Sequence, residues 1–325
     1  MIYVPWIGFF LIIGFLLYFD LHVTHSKPHE VTVSESLLWT GFWILLSLFF
    51  TIAVYFIYEK NAFGLEHFLL EEMSGRQAVM DYLTGYIIEK TLSLDNIFVI
   101  ALIFSYFRID LKYQHRVLYW GILGAIVLRG LFIWGGIALL NQVDWISYLF
   151  GAILLYSAFK LLRTKEKEID PEHNYFVRLV SRIYPIDGNY HGQSFFTMKA
   201  GVRYGTPLIL ALIMVESSDV MFAVDSIPAI FSITQDPFLV LTSNVFAILG
   251  LRSLYFALAA IMHQFRFFNI SLTVILGFVG LKMMLINHYH ISTSISLILI
   301  LAILGLGILL SWLIKADKNN SPPGA

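Results

Sequence analysis

The chain has 325 residues, of which 58% are hydrophobic and only 13% charged, with a formal net charge of -1 and a mean hydropathy of +0.76. A soluble domain carries roughly 25% charged residues, so about half of the usual charge is missing and a water-soluble globule is excluded. The balanced charge gives no electrostatic case for nucleic acid, and the absence of cysteine excludes disulfides, iron–sulfur clusters and thiolate metal sites.

Apolar stretches near twenty residues long, the length that crosses a bilayer, recur along the chain. Residues Ile2 to Phe19 are apolar, with neither a basic leader nor a small-residue cleavage motif, and read as a retained first span. In chain order, nine candidate helices are predicted at 3–20, 37–58, 80–104, 115–139, 145–162, 207–231, 238–262, 269–287 and 292–314. With the N-terminus outside, the cytoplasmic side receives Lys27, Arg108, Lys112, Arg116, Arg266, Lys315, Lys318 and the cations of the 163–206 loop. The outer side then holds only Lys60 and Arg76. This asymmetry predicts an odd number of spans with the C-terminus inside.

Five segments follow: an N-terminal pair of helices at 1–78, a three-helix unit at 79–162, a basic cytoplasmic loop at 163–206, a second three-helix unit at 207–290, and a last helix with its tail at 291–325. The loop opens with Arg163, Lys165, Glu166, Lys167 and Glu168 and is punctuated by Pro171, Pro185 and Gly188. It reads as a solvated linker or as a regulatory, partner-binding segment.

The two three-helix units resemble each other. Glu89-Lys-Thr-Leu-Ser-Leu-Asp95-Asn-Ile97 matches Asp219-Val-Met-Phe-Ala-Val-Asp225-Ser-Ile227: an acid, an Asp six residues later, a small polar residue, then Ile. Downstream, Ile122-Leu-Gly124 precedes Arg129, as Ile248-Leu-Gly250 precedes Arg252. Two units of three helices each have opposite membrane orientations, the inverted-repeat plan of many secondary transporters, with the substrate site near the midplane.

Glu89, Asp95, Glu216, Asp219 and Asp225 all lie inside apolar spans. One acid near the bilayer centre costs about 2.5–3.5 kcal/mol on insertion scales, so five demand a role. Glu216 and Asp219 are three residues apart and share a helix face, as do Ser218 and Asp225 seven apart. Pro228 is expected to break the helix one turn beyond Asp225 and free carbonyl oxygens beside the acids. Carboxylates and carbonyls, with neutral oxygens from Asn96, Ser93, Ser217, Ser218, Ser226 and Asn244, suit a hard divalent cation. The competing reading is structural: Lys90, Arg129, Arg252 and Lys282 also lie in spans and could neutralise the acids as buried ion pairs. No nucleotide-binding loop and no protease or hydrolase motif is present, so neither an ATP motor nor an enzyme is expected, and no resident cofactor.

Gly85-Tyr-Ile-Ile-Glu-Lys-Thr-Leu-Ser-Leu-Asp-Asn-Ile-Phe98 and Val215-Glu-Ser-Ser-Asp-Val-Met-Phe-Ala-Val-Asp-Ser-Ile-Pro-Ala-Ile230 resemble the signature segments of the TerC family of integral membrane proteins. Tyr113-Gln-His-Arg-Val-Leu-Tyr-Trp-Gly121 and Ser243-Asn-Val-Phe-Ala-Ile-Leu-Gly-Leu-Arg-Ser-Leu-Tyr-Phe256 extend the resemblance over residues 80 to 290. Length and span number are most similar to the longer, Alx-like branch. The resemblance implies a bacterial plasma-membrane protein of manganese homeostasis that exports Mn²⁺, with responses to alkaline pH in that branch. It also implies links to metal supply for secreted proteins. On this reading Asp95 and Asp225 are central ligands from opposite repeats, and Glu89, Glu216 and Asp219 are second ligands or proton carriers. Asn96, Ser218 and Ser226 supply neutral oxygen, and proton entry drives export. The alternative is a non-transporting scaffold for the secretion machinery or a metal-requiring client, with its function in the basic loop.

Overall fold

A computed structural model describes residues 3–19, 32–60, 73–143, 145–163, 175–187, 192, 194–259, 267–286, 288–289 and 291–314. Its helices are α1 (Val4–Phe19), α2 (Val33–Glu59), α3 (Gly75–Tyr106), α4 (Leu111–Gln142), α5 (Ile146–Arg163), α6 (Tyr175–Ile183), α7 (Pro207–Phe231), α8 (Pro237–Leu249), α9 (Leu251–Ala259), α10 (Phe268–Leu285) and α11 (Thr293–Leu313). One short antiparallel hairpin, β1 (Phe196–Lys199) and β2 (Val202–Gly205), precedes α7. Every expected span coincides with a helix, and 238–262 comes in two pieces. The chain is an all-α polytopic membrane protein.

Among the described residues, five helices, α2, α4, α5, α7 and α11, are long and apolar enough to cross a membrane; α8 with α9, bent by 41°, forms a broken span or a re-entrant loop. α3 is long enough at 32 residues but carries Asp81, Glu89, Lys90 and Asp95 along its length. The burial pattern is the reverse of a soluble bundle. Val127, Leu131 and Trp134 on α4 are exposed, while Ser47, Thr84, Thr242, Ser243 and Asn244 are buried. Lipid outside and satisfied polar groups inside account for this.

Helix starts follow ordinary capping chemistry. Thr32 caps α2 and Ser74 caps α3 by accepting backbone N–H groups three residues on. Asp236 does the same for α8, with Pro237 as the first helical residue.

Two helix breaks differ from expectation. Pro228 does not break α7, which continues to Phe231. Pro228 sits in the last turn, where its missing N–H forfeits one bond and its own carbonyl still accepts from Ser232. The break falls instead at Gly250, between α8 and α9. A Cβ there would stand 2.9 Å from Lys90 Nζ and 3.1 Å from Trp43 Cβ, so the glycine lets α2 and α3 pack closely at this point.

The 163–206 loop is also more than a linker, because its described part holds α6 and the hairpin. The hairpin turns at Ala200 and Gly201, both with positive φ, as a tight turn requires. Its base is held to residues 185–187 by hydrogen bonds from Gly205 N to Pro185 O and from Asp187 N to Gly205 O.

The site is positioned by how the two three-helix units interlock. α4 lies along α7, with Gly121 against Val215, Gly124 against Glu216 and Gly136 against Phe231, so the two helices run parallel. α3 lies along α8, with Gly85 against Ser243 and Lys90 bonded to Ala247, and these also run parallel. α5 and α10 cross tightly through Gly151 and Gly280, in antiparallel sense. Each of these three helices of the 79–162 segment thus packs on a helix of the 207–290 segment.

Candidate functional site

Near the midpoints of α3, α4 and α7, one guanidinium draws the acids together. Arg129 Nε and Nη2 donate to Asp219 Oδ2 and Oδ1 at 3.2 and 2.8 Å, a two-pronged pair. Arg129 Nη1 donates to Glu89 Oε1, and lies 3.3 Å from Asn244 Oδ1 and 3.5 Å from Ser226 Oγ. Asn244 Nδ2 donates to Glu89 Oε2 at 3.0 Å, and Ser93 Oγ to Glu89 Oε1 at 3.2 Å. Glu89 and Asn244 are wholly buried and Arg129 is 2% exposed.

Local geometry delivers these groups. Glu89, Ser93 and Asn96 recur at four and three residues on α3, so one face presents all three. Asp219 and Ser226, seven apart on α7, face the same way. Glu89 and Asp219 occupy matching places in the two similar segments, and both grip the same arginine. Buried ions are tolerated only when paired and hydrogen-bonded, a condition this network meets.

A further acid lies beside this network. Glu216, one turn before Asp219, places its carboxylate against Gly124 of α4. Its Oε2 is buried and has no hydrogen-bond partner among the described residues. Below Asp219 opens a cleft lined by Asn96 and Ile100 of α3, Gly121 and Ala125 of α4, Ser218 and Phe222 of α7, and Leu251 of α9. Asn96, 4% exposed, contributes an Oδ1 that also has no partner among the described residues. Ser218 Oγ is turned back to the Met214 carbonyl at 2.8 Å.

The structure therefore brings Glu89, Asp219 and Ser226 into one network, with Glu216, Asn96 and Ser218 beside it. Asp225 faces a different neighbour, accepting from Ser157 Oγ of α5 at 2.6 Å. Asp95 lies in α3, and its side chain is outside the described residues. Among the described residues, no three His, Asp or Glu side chains converge as a preformed metal cluster.

Among the intramembrane cations, Arg129 pairs with Glu89 and Asp219. Lys90, although next to Glu89, reaches the Ala247 carbonyl at 3.1 Å and satisfies the end of α8. Lys282 donates to Ser296 Oγ at 3.0 Å.

Among the further buried acids that escaped the sequence reading are Asp81 and Asp236. Asp81, 3% exposed, accepts from Gln77 Nε2 at 2.7 Å. Asp236, 4% exposed, accepts from Tyr58 OH at 2.6 Å as well as capping α8. The Asp-Pro pair at 236–237 was a legible helix-start signal; nothing local distinguished Asp81.

Comparison with known proteins agrees with this picture. The family model described as "Integral membrane protein TerC family" matches residues 74–319. An uncharacterized membrane protein of Myxococcus xanthus is 42% identical over 311 residues, covering 96% of this chain and 92% of its own. Proteins named Alx, proposed by that name to be membrane-bound redox modulators, are similarly related. The one from Photorhabdus laumondii is 42% identical over 318 residues, covering 97% of each chain. The one from Escherichia coli K12 is 41% identical over 320 residues, covering 97% of this chain and 94% of its own. No solved structure matches. With the family model spanning most of the chain and these relatives nearly all of it, the chain belongs to the TerC family of integral membrane proteins.

Proposed function

We propose that this protein exports a divalent metal cation, Mn²⁺ by family resemblance, across the bacterial plasma membrane, with its N-terminus outside and C-terminus inside. The observation that carries the reading is the convergence of Glu89 and Asp219, at matching places in the two units, on one mid-helix site that holds Glu216 as an additional acid. Carboxylate and amide oxygens are the donors that hard divalent ions take. The chain has no cysteine, so the redox role suggested by the relatives' name has no thiol here to act through.

On the charge-based orientation, the cleft beneath Asp219 lies in the cytoplasmic halves of α3, α4 and α7. The other side is filled by Tyr82, Ile230, Phe231 and Phe238, all buried. Asp219, Glu216, Asn96 and Ser218 are the first oxygens an entering ion meets. Asp95 and Asp225 serve further ligation in the alternate state.

Moving a divalent ion outward against 100 mV costs about 4.6 kcal/mol, from roughly 2.3 kcal/mol per unit charge. Proton entry through the same carboxylates supplies it. The protein is not an enzyme on this reading.

The test is Mn²⁺ accumulation in inverted membrane vesicles holding the wild type or the Asp219→Asn, Asp95→Asn and Asp225→Asn variants at matched abundance. Accumulation by the wild type that each substitution lowers supports export. Equal signals in all samples and in empty vesicles would overturn it in favour of the scaffold reading, with the 163–206 segment as the next target.

A further inference from the structure

We infer that Arg129 is a tethered stand-in for the cargo: its guanidinium holds Asp219 while the site is empty, and an arriving cation loads by displacing it. The inference rests on the export reading and concerns how that site is kept closed between turnovers.

The argument begins with the oxygens. Both carboxylate oxygens of Asp219 accept from Arg129, so a cation approaching Asp219 competes with that grip for the carboxylate charge. The two ends of the network differ in access. The Glu89 side chain is 0% exposed, whereas that of Asp219 is 12% exposed and lines the cleft. Displacement therefore starts at Asp219.

Two acceptors wait in that region with no partner to give up among the described residues: Asn96 Oδ1 in the cleft and Glu216 Oε2 one turn from Asp219. An ion drawn to them arrives beside the Asp219–Arg129 bond and competes for it with two positive charges against one.

Arg129 also has somewhere to go. Glu89, Asn244 Oδ1 and Ser226 Oγ already surround Nη1. The guanidinium can leave Asp219 while remaining paired with Glu89, and no buried charge is stranded. The loaded site then comprises Asp219, Glu216, Asn96 and Ser218. When the cation departs, Arg129 returns and neutralises Asp219, so the empty carrier does not retain an open, charged carboxylate. A fixed clamp would need neither the unpartnered oxygens beside Asp219 nor the asymmetry in exposure between its two acids.

The test is Mn²⁺ affinity of the purified full-length protein, measured by calorimetry at pH 8, for the wild type, Arg129→Gln and the double variant Glu89→Gln/Arg129→Gln. The double variant removes one charge of each sign and keeps Asp219, so it reads the effect even if the single variant fails to fold. Removing the competitor is expected to tighten Mn²⁺ binding about tenfold or more, the scale of a lost charge-assisted bond. Transport in inverted vesicles is expected to slow in the same variants, because nothing expels the ion. Folded variants that bind Mn²⁺ as the wild type does, or more weakly, would overturn the inference and leave export standing. No Mn²⁺ binding by the wild type would remove the export reading, and the inference with it.

Discussion

Gly124 of α4 and Glu216 of α7 share one space: the Glu216 carboxylate lies where a side chain at position 124 would project. A Cβ at Gly124 and that carboxylate cannot coexist without a shift of one helix or rotation of the acid. Gly124→Val is expected to push Glu216 out of the site and reduce Mn²⁺ accumulation in vesicles at least about tenfold, with an overpacking cost of about 1–3 kcal/mol. Wild-type accumulation and thermal stability in this variant would show that Glu216 need not sit there.

Glu89 tests the network as structure. Glu89→Ala strips Arg129 and Asn244 of an acceptor within a buried site, and breaking a buried pair costs about 3–5 kcal/mol. Glu89→Gln keeps an acceptor and is expected to fall between that variant and the wild type. Thermal unfolding in detergent gives the order. A Glu89→Ala protein as stable as the wild type would mean that the Arg129 network does not hold the bundle together.

At Asp225 the expectation separates the acid from its donor. Ser157→Ala removes one hydrogen bond to a half-buried carboxylate and is expected to leave Mn²⁺ accumulation near the wild-type rate. Asp225→Asn is expected to lower it strongly. The reverse order would make Asp225 an anchor for α5 rather than part of the ion path.

The α5–α10 crossing offers a stability test remote from the acids. At Gly151 a Cβ would stand 2.9 Å from the Gly280 carbonyl, a backbone atom that cannot rotate aside. Gly151→Leu is expected to destabilise the protein by several kcal/mol, since close helix approach supplies the packing between membrane helices. Gly135→Leu is the control, because a Cβ there meets nothing within 4 Å. Equal melting temperatures for the two variants would contradict the packing described.

Where the sequence reading succeeded and where it stopped have separate physical causes. The position of α7 was legible residue for residue, from Pro207 to Phe231, because an apolar run behind a proline is a local signal. The pairing of the acids was not. Glu89 has Lys90 as its covalent neighbour, yet adjacent helical residues point about 100° apart, and Lys90 turns to α8 while Glu89 meets Arg129. Pro228 looked like the break and Gly250 did not. A proline in a last turn sacrifices little, whereas the break at Gly250 lies where Lys90 and Trp43 of other helices come close to it.

Apolar length and intramembrane charge determined by themselves that this chain is a polytopic membrane protein with acids inside its apolar segments, since the free energy of lipid burial acts on each segment alone. Only the tertiary structure decided that Glu89 and Asp219 answer to one arginine, that Asp225 turns to α5, and that Glu216 and Asn96 keep unpartnered oxygens beside the cleft. Those facts depend on which helix lies against which, and that choice is made by the packing of the whole bundle.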